Sequence, residues 1–263
     1  MRRIPVRFWL ASAFLLAGMA IFCPVDAADA TDDEFKALVE QDAKIIAKAV
    51  DAVDKATTAK EKKTVTKSAG SGIKSSALIM AGYANARITG KDPAVDGKAA
   101  AIRDEAIKIY KAAASGDFKA AAEAAKGLAS VRPSASPKKI DLTKEFPSDV
   151  TSKDVMLNFM KTAQYGTNVE ADIIANGKKA AARPAEVAVI AHRVLAMGEY
   201  SKTVIKPEGA KDHAAWKEYN DKMIATTEAL LATTKKKTLA ADLAKAFTAV
   251  NASCVACHED YKN

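Results

Sequence analysis

A chain of 263 residues has room for one or two domains. Its 40 Lys and Arg against 32 Asp and Glu give a net charge of +8, but acidic residues are interspersed along most of the length, which argues against a nucleic-acid-binding surface and for a solvated basic surface able to steer toward an acidic partner. Only three cysteines are present; Cys254 and Cys257 are too close in sequence to close a loop worth stapling, which excludes a disulfide scaffold.

Arg2, Arg3 and Arg7 precede an apolar run from Phe8 to Phe22, and Val25-Asp26-Ala27 offers small residues at a cleavage spacing. Residues 1–27 therefore read as a signal peptide, the run being short for a membrane span. The mature chain is expected to be periplasmic or otherwise exported, with no membrane span. Cys23 follows Ile21-Phe22, which does not suit a lipid-attachment site.

From there the chain is rich in Ala, Lys, Glu and Leu, and its apolar residues recur at three- and four-residue steps, the period of helices rather than strands. In the first half the pattern predicts helices over 32–57, 66–88, 95–115 and 117–131, broken at Gly90-Lys91-Asp92-Pro93 and Ser115-Gly116-Asp117. Lys60-Glu61-Lys62-Lys63 is expected in a loop or helix end. The Pro- and Ser-containing stretch 132–150 reads as an interdomain linker. Helices over 152–176, 183–201, 209–233 and 238–261 follow.

The two sets of four resemble each other. Ile73 falls on Val189, Leu78 on Val194, Gly82 on Gly198 and Asp96 on Asp212; with a small offset Ala121-Ala122-Glu123 falls on Ala240-Ala241-Asp242. Four amphipathic helices with short connections make an up-down-up-down bundle. The expected fold is all-α, two tandem four-helix bundles spanning 28–131 and 151–263.

The last helix carries an apolar stripe, Leu239, Leu243, Ala246, Phe247 and Val250, that runs on through Cys254, Cys257, His258 and Tyr261. Positions i, i+3 and i+4 of a helix share a face, so two thiols and one imidazole point together into the bundle. C-x-x-C-H in this setting reads as covalent attachment of a c-type haem, the thiols forming thioethers and His258 meeting the iron. A dithiol redox site would want a βαβ pattern, and a zinc site a second ligand pair; neither is present in the sequence.

A single haem motif on the last helix of a four-helix bundle, followed by Glu259-Asp260-Tyr261-Lys262, resembles the class II c-type cytochromes, cytochrome c′ and its low-spin relatives. Their pattern runs C-x-x-C-H-x-x-(Tyr/Phe)-(Arg/Lys), matched here by Cys254, Cys257, His258, Tyr261 and Lys262. The resemblance implies one covalent haem c in the second bundle, His258 as proximal iron ligand, and a sixth position that is open or filled by a methionine of the bundle's first helix. Met160 is the favoured candidate there, with Met156 one turn before it. His192 is a further candidate for that position, and His213 reads as surface. Trp216 and Tyr219 either line the haem or pack.

A methionine-ligated iron suits one-electron transfer, and an open one suits nitric oxide or carbon monoxide binding. The expected function is that of an electron carrier rather than an enzyme, served by a redox partner protein of acidic surface, with gas binding as the alternative. The class also leads one to expect pairing of bundle with bundle, as a homodimer or an internal pseudo-dimer. All three histidines lie in the second half, so the first bundle is expected to be a haem-less copy.

Overall fold

The computed structural model describes residues 30–146, 159, 164–178, 184–203, 213–236 and 240–261. The leader over 1–27, both candidate methionines Met156 and Met160, Lys262 and the His213 side chain lie outside the described residues.

Among the described residues the secondary structure is helical: α1 (Asp32–Lys55), α2 (Ala59–Arg87), α3 (Pro93–Ala114), α4 (Phe118–Gly127), α5 (Val169–Lys178), α6 (Pro184–Thr203), α7 (His213–Thr234) and α8 (Ala240–Tyr261). Local chemistry explains the starts. Thr31 and Glu34 close a capping box on α1. The Asp92 side chain accepts from the amides of Ala94 and Val95 while Pro93 fills the first turn of α3, where a missing N–H costs nothing. Asp117 caps α4.

Helix α2 begins earlier than the pattern suggested. Thr58 accepts from the Glu61 amide and starts the helix, so Lys60-Glu61-Lys62-Lys63 is an exposed helical turn rather than a loop. Strong helix formers need no apolar stripe once a cap is in place. Helix α4 is shorter than expected and ends in a 3-10 turn over Leu128–Ser130.

The largest departure lies in the predicted helix 152–176. Residues 164–168 form a turn, Asn168 has φ of 53°, and α5 begins only at Val169. The cause is tertiary. A Cβ on Gly72 would stand 2.1 Å from the Tyr165 carbonyl oxygen, so this turn is pressed into a notch that only glycine leaves open on α2. Thr167 donates its hydroxyl to the Phe159 carbonyl at 3.4 Å.

Each set of four closes on itself. Helix α1 packs on α2, α2 on α3, α3 on α4, and α4 returns to α1; α5 to α8 repeat the ring, with α8 against α5. The two bundles meet where α1 and α2 cover α6, and their buried apolar residues form one continuous core. Ala196 touches α2 at Gly82, where an added Cβ would lie 3.3 Å from the alanine methyl.

Polar groups are buried in this seam as well. Asp42 of α1 is fully buried and accepts from the Tyr83 hydroxyl at 3.0 Å and from the Arg193 guanidinium of α6 at 2.6 Å. Burial pushes the Asp42 carboxyl above its ordinary value, against the pull of Arg193 and Tyr83.

The stretch read as a linker is laid along the first bundle. Ser134 N–H donates to the Gly97 carbonyl at 2.8 Å, and the Asn85 amide bonds both the N–H and the C=O of Ile140. Phe146, almost wholly buried, stands edge-on between Tyr110 and Tyr200, at 4.7 and 6.1 Å. It thereby ties the strap to both bundles.

Candidate haem site

Helix α8 buries Leu243, Phe247, Val250, Ser253 and Cys254 along one stripe, as the spacing predicts. Leu239 lies outside the described residues. Cys254 is 7% exposed, Cys257 and His258 are partly buried, and Val255 between the two thiols is 47% exposed. The stripe thus turns the three motif side chains inward and leaves the intervening valine in solvent.

Cys254, Cys257 and His258 line one cleft, whose open space of about 20 Å³ is close to that of a single water molecule. Met197 and Ser201 of α6, Tyr219, Asn220 and Met223 of α7, and Ser253 complete its lining. Ser253 donates to the Val250 carbonyl at 2.7 Å, and Asn220 donates to the Trp216 carbonyl at 2.8 Å, so these two polar side chains of the walls are tied to their own helices. Gly198 makes room here: an added Cβ would stand 3.1 Å from the Met223 methyl.

Both cysteines are free thiols. Burial, then the neighbouring Cys257, pushes the Cys254 thiol up to about 12. Burial, then the Asp260 carboxylate, pushes Cys257 up to about 11. At neutral pH both are uncharged S–H groups, suited to an apolar wall and inert as metal thiolates. Among the described residues no group of three or more His, Cys, Asp or Glu side chains could hold a metal ion by itself. Two neutral thiols one turn apart and an imidazole beside the second, all on one cleft wall, are the donor set for a haem held by two thioethers and one nitrogen; the cleft walls must part to admit it.

Other expectations divide. His192 does not reach this cleft: it is buried in the seam, its Nε2 3.7 Å from the Glu34 carboxylate of α1, an ion-pair distance. That corrects its reading as an iron-ligand candidate, because α6 turns His192 and Met197 to different neighbours. The facing His192 imidazole, with the Thr31 amide, holds the Glu34 carboxyl at about 2 despite partial burial. Trp216 packs: it is 1% exposed, its indole N–H donates to the Ser201 carbonyl at 2.9 Å, and its ring meets Tyr261 edge-on at 5.1 Å. Tyr219 does line the cleft.

Met197, Met223, Asn220, Ser201 and Ser253 were not singled out from the sequence. The apolar stripes of α6 and α7 mark the methionines only as core, since a methionine at helical spacing is ordinarily packing.

Residues 156–262 match the family model described as Cytochrome C′. No curated protein and no solved structure matches the chain. No helix among the described residues is long and apolar enough to cross a membrane. With the motif side chains gathered in one cleft on the last helix, the match of residues 156–262 to the Cytochrome C′ family supports reading this part of the chain as a class II c-type cytochrome, a haem protein.

Proposed function

We propose that the protein is an exported cytochrome with a single covalent haem c, and that it carries one electron at a time between partner proteins without catalysing a reaction of its own. The observation that supports this most is the convergence of Cys254, Cys257 and His258 on one cleft, in a chain with no other C-x-x-C-H. When bound, the haem supplies a reversible one-electron Fe(III)/Fe(II) couple. Cys254 and Cys257 would hold it through two thioethers, each S–H added across one vinyl C=C with sulfur on one carbon and hydrogen on the other. His258 gives an imidazole nitrogen to the iron. Met197, Met223 and the buried face of α8 give the cleft a largely apolar wall, beside which nearby charges act more strongly than in water. Met160 is the proposed sixth ligand.

The leader pattern supports export to the periplasm or beyond. The positive charge supports steering to an acidic redox partner: residues 30–146 hold 21 Lys and Arg against 16 Asp and Glu, so the larger share of the excess sits on the first bundle. That bundle is read as a haem-less copy of the second, since it closes the same ring of four helices and contains neither Cys nor His. Packed along α6, it makes the chain an internal pseudo-dimer.

The test is expression of the mature chain with a haem-attachment system. Covalent haem is expected, lost when Cys254 and Cys257 are both alanine. The ferrous form should give the sharp bands of a low-spin iron, and Met160→Ala should abolish them. A high-spin spectrum that changes with carbon monoxide would assign gas binding instead, and absence of covalent haem would sink both.

A further inference from the structure

Tyr219 and Asp260 lie beside the haem-attaching groups without holding the cofactor themselves. Tyr219 stands on α7 and lines the cleft together with Cys257 and His258. Its hydroxyl donates to the Asp260 carboxylate of α8 at 2.5 Å, a short charge-assisted bond. Its ring meets Tyr261 edge-on at 5.9 Å, and Tyr261 meets Trp216 at 5.1 Å. Trp216 is itself fixed to α6 through its bond to the Ser201 carbonyl. The turn of α8 that carries His258 is therefore clamped to α7 by one hydrogen bond and two aromatic contacts, and through Trp216 to α6.

Asp260 follows Cys257 by three residues, so the two share a face of α8. The Tyr219 bond holds the carboxylate on that face. Left without a donor, an exposed aspartate follows solvent, where its charge is screened.

We propose that Tyr219 is a positioning residue for the haem site: acting through Asp260 and Tyr261, it locks the turn that carries His258 and keeps a negative charge at the Cys257 edge of the haem. Such a charge favours Fe(III) over Fe(II) and lowers the midpoint potential. The proposal rests on the electron-carrier reading and deepens it by naming what tunes the couple. A unit charge on the order of 10 Å from a redox centre, in surroundings intermediate between protein and water, would shift a one-electron equilibrium about two- to fivefold. For a one-electron couple that is about 20 to 40 mV.

Two measurements on the full mature chain test it. Tyr219→Phe removes the donor and keeps the ring; Asp260→Asn removes the charge and keeps an acceptor for Tyr219. In the haem-free protein, amide hydrogen exchange over residues 257–261 should quicken about fivefold in Tyr219→Phe, as expected for one lost hydrogen bond, and should change less in Asp260→Asn. In the haem-loaded protein both variants should raise the potential, and the double variant should not exceed Asp260→Asn by more than the measurement error, because both act through one charge. An unchanged potential in haem-loaded Tyr219→Phe overturns the proposal even if exchange quickens. Uptake of no covalent haem by the parent chain would refute the carrier reading instead, and unchanged exchange in the haem-free variant would then overturn the positioning role on its own.

Discussion

The Asp42–Arg193 pair is the most exacting place to test how the two bundles are joined. Replacing Asp42 by Ala leaves the Arg193 guanidinium, 1% exposed, facing a void in the seam, with the Tyr83 hydroxyl deprived of its acceptor. An uncompensated buried charge costs about 3–5 kcal/mol. A protein of this kind has a total stability of about 5–15 kcal/mol, so the single substitution should move the guanidinium midpoint far to lower denaturant. Burial already pushes Asp42 up, which shows how much of the attraction is spent against desolvation. The apolar pair Asp42→Leu with Arg193→Met should therefore restore most of the loss, short of the parent by about 1–3 kcal/mol, the cost of the orphaned Tyr83 hydroxyl. The assay is equilibrium unfolding followed by far-ultraviolet circular dichroism, with slopes compared so that a shifted midpoint is read as stability. A single-variant cost below about 1 kcal/mol, or a double variant as unstable as the two singles summed, would refute the seam as a buried and coupled ion pair.

Two further outcomes follow from the same interface. Gly72→Ala should be strongly destabilising, by at least about 2 kcal/mol, because its methyl meets the Tyr165 carbonyl at 2.1 Å; Gly70→Ala, facing only the edge of the Phe118 ring at 3.2 Å, should cost less in the same unfolding assay. Glu34, held at about 2 against an ordinary 4.5 chiefly by His192, contributes stability that is complete above 4.5 and lost as pH falls toward 2. In His192→Gln the unfolding free energy should fall less steeply across that window, and an unaltered slope would remove His192 as the cause.

Much of this molecule is readable from local chemistry. Helix periodicity marked a helix at each described one but missed the early start of α2 and the turn before α5; it reads an amphipathic stripe and a cap, which are properties of adjacent residues. The haem motif is legible for the same reason: Cys254, Cys257 and His258 are set on one face by helical spacing alone, and no distant residue is needed to know that they converge.

What failed to show in the sequence is long-range. The strap over 131–146 has the composition of a linker, yet its backbone bonds to Gly97 and Asn85 and its Phe146 is buried. Proline and serine report the local absence of a helix, not the absence of contacts. The turn at 164–168 interrupts a good helical pattern because α2 offers a glycine notch to Tyr165. His192 and Met197 sit on one helix, but α1 claims the first and the haem cleft the second.

The sequence by itself determined the helices, their grouping and the chemistry of the motif, since each depends on residues within a few turns of one another. Only the tertiary structure decided how the bundles share a core, which methionines line the cleft, and that Tyr219 reaches Asp260 across two helices. Those depend on which faces the packing of distant helices brings together, and no local pattern encodes that choice.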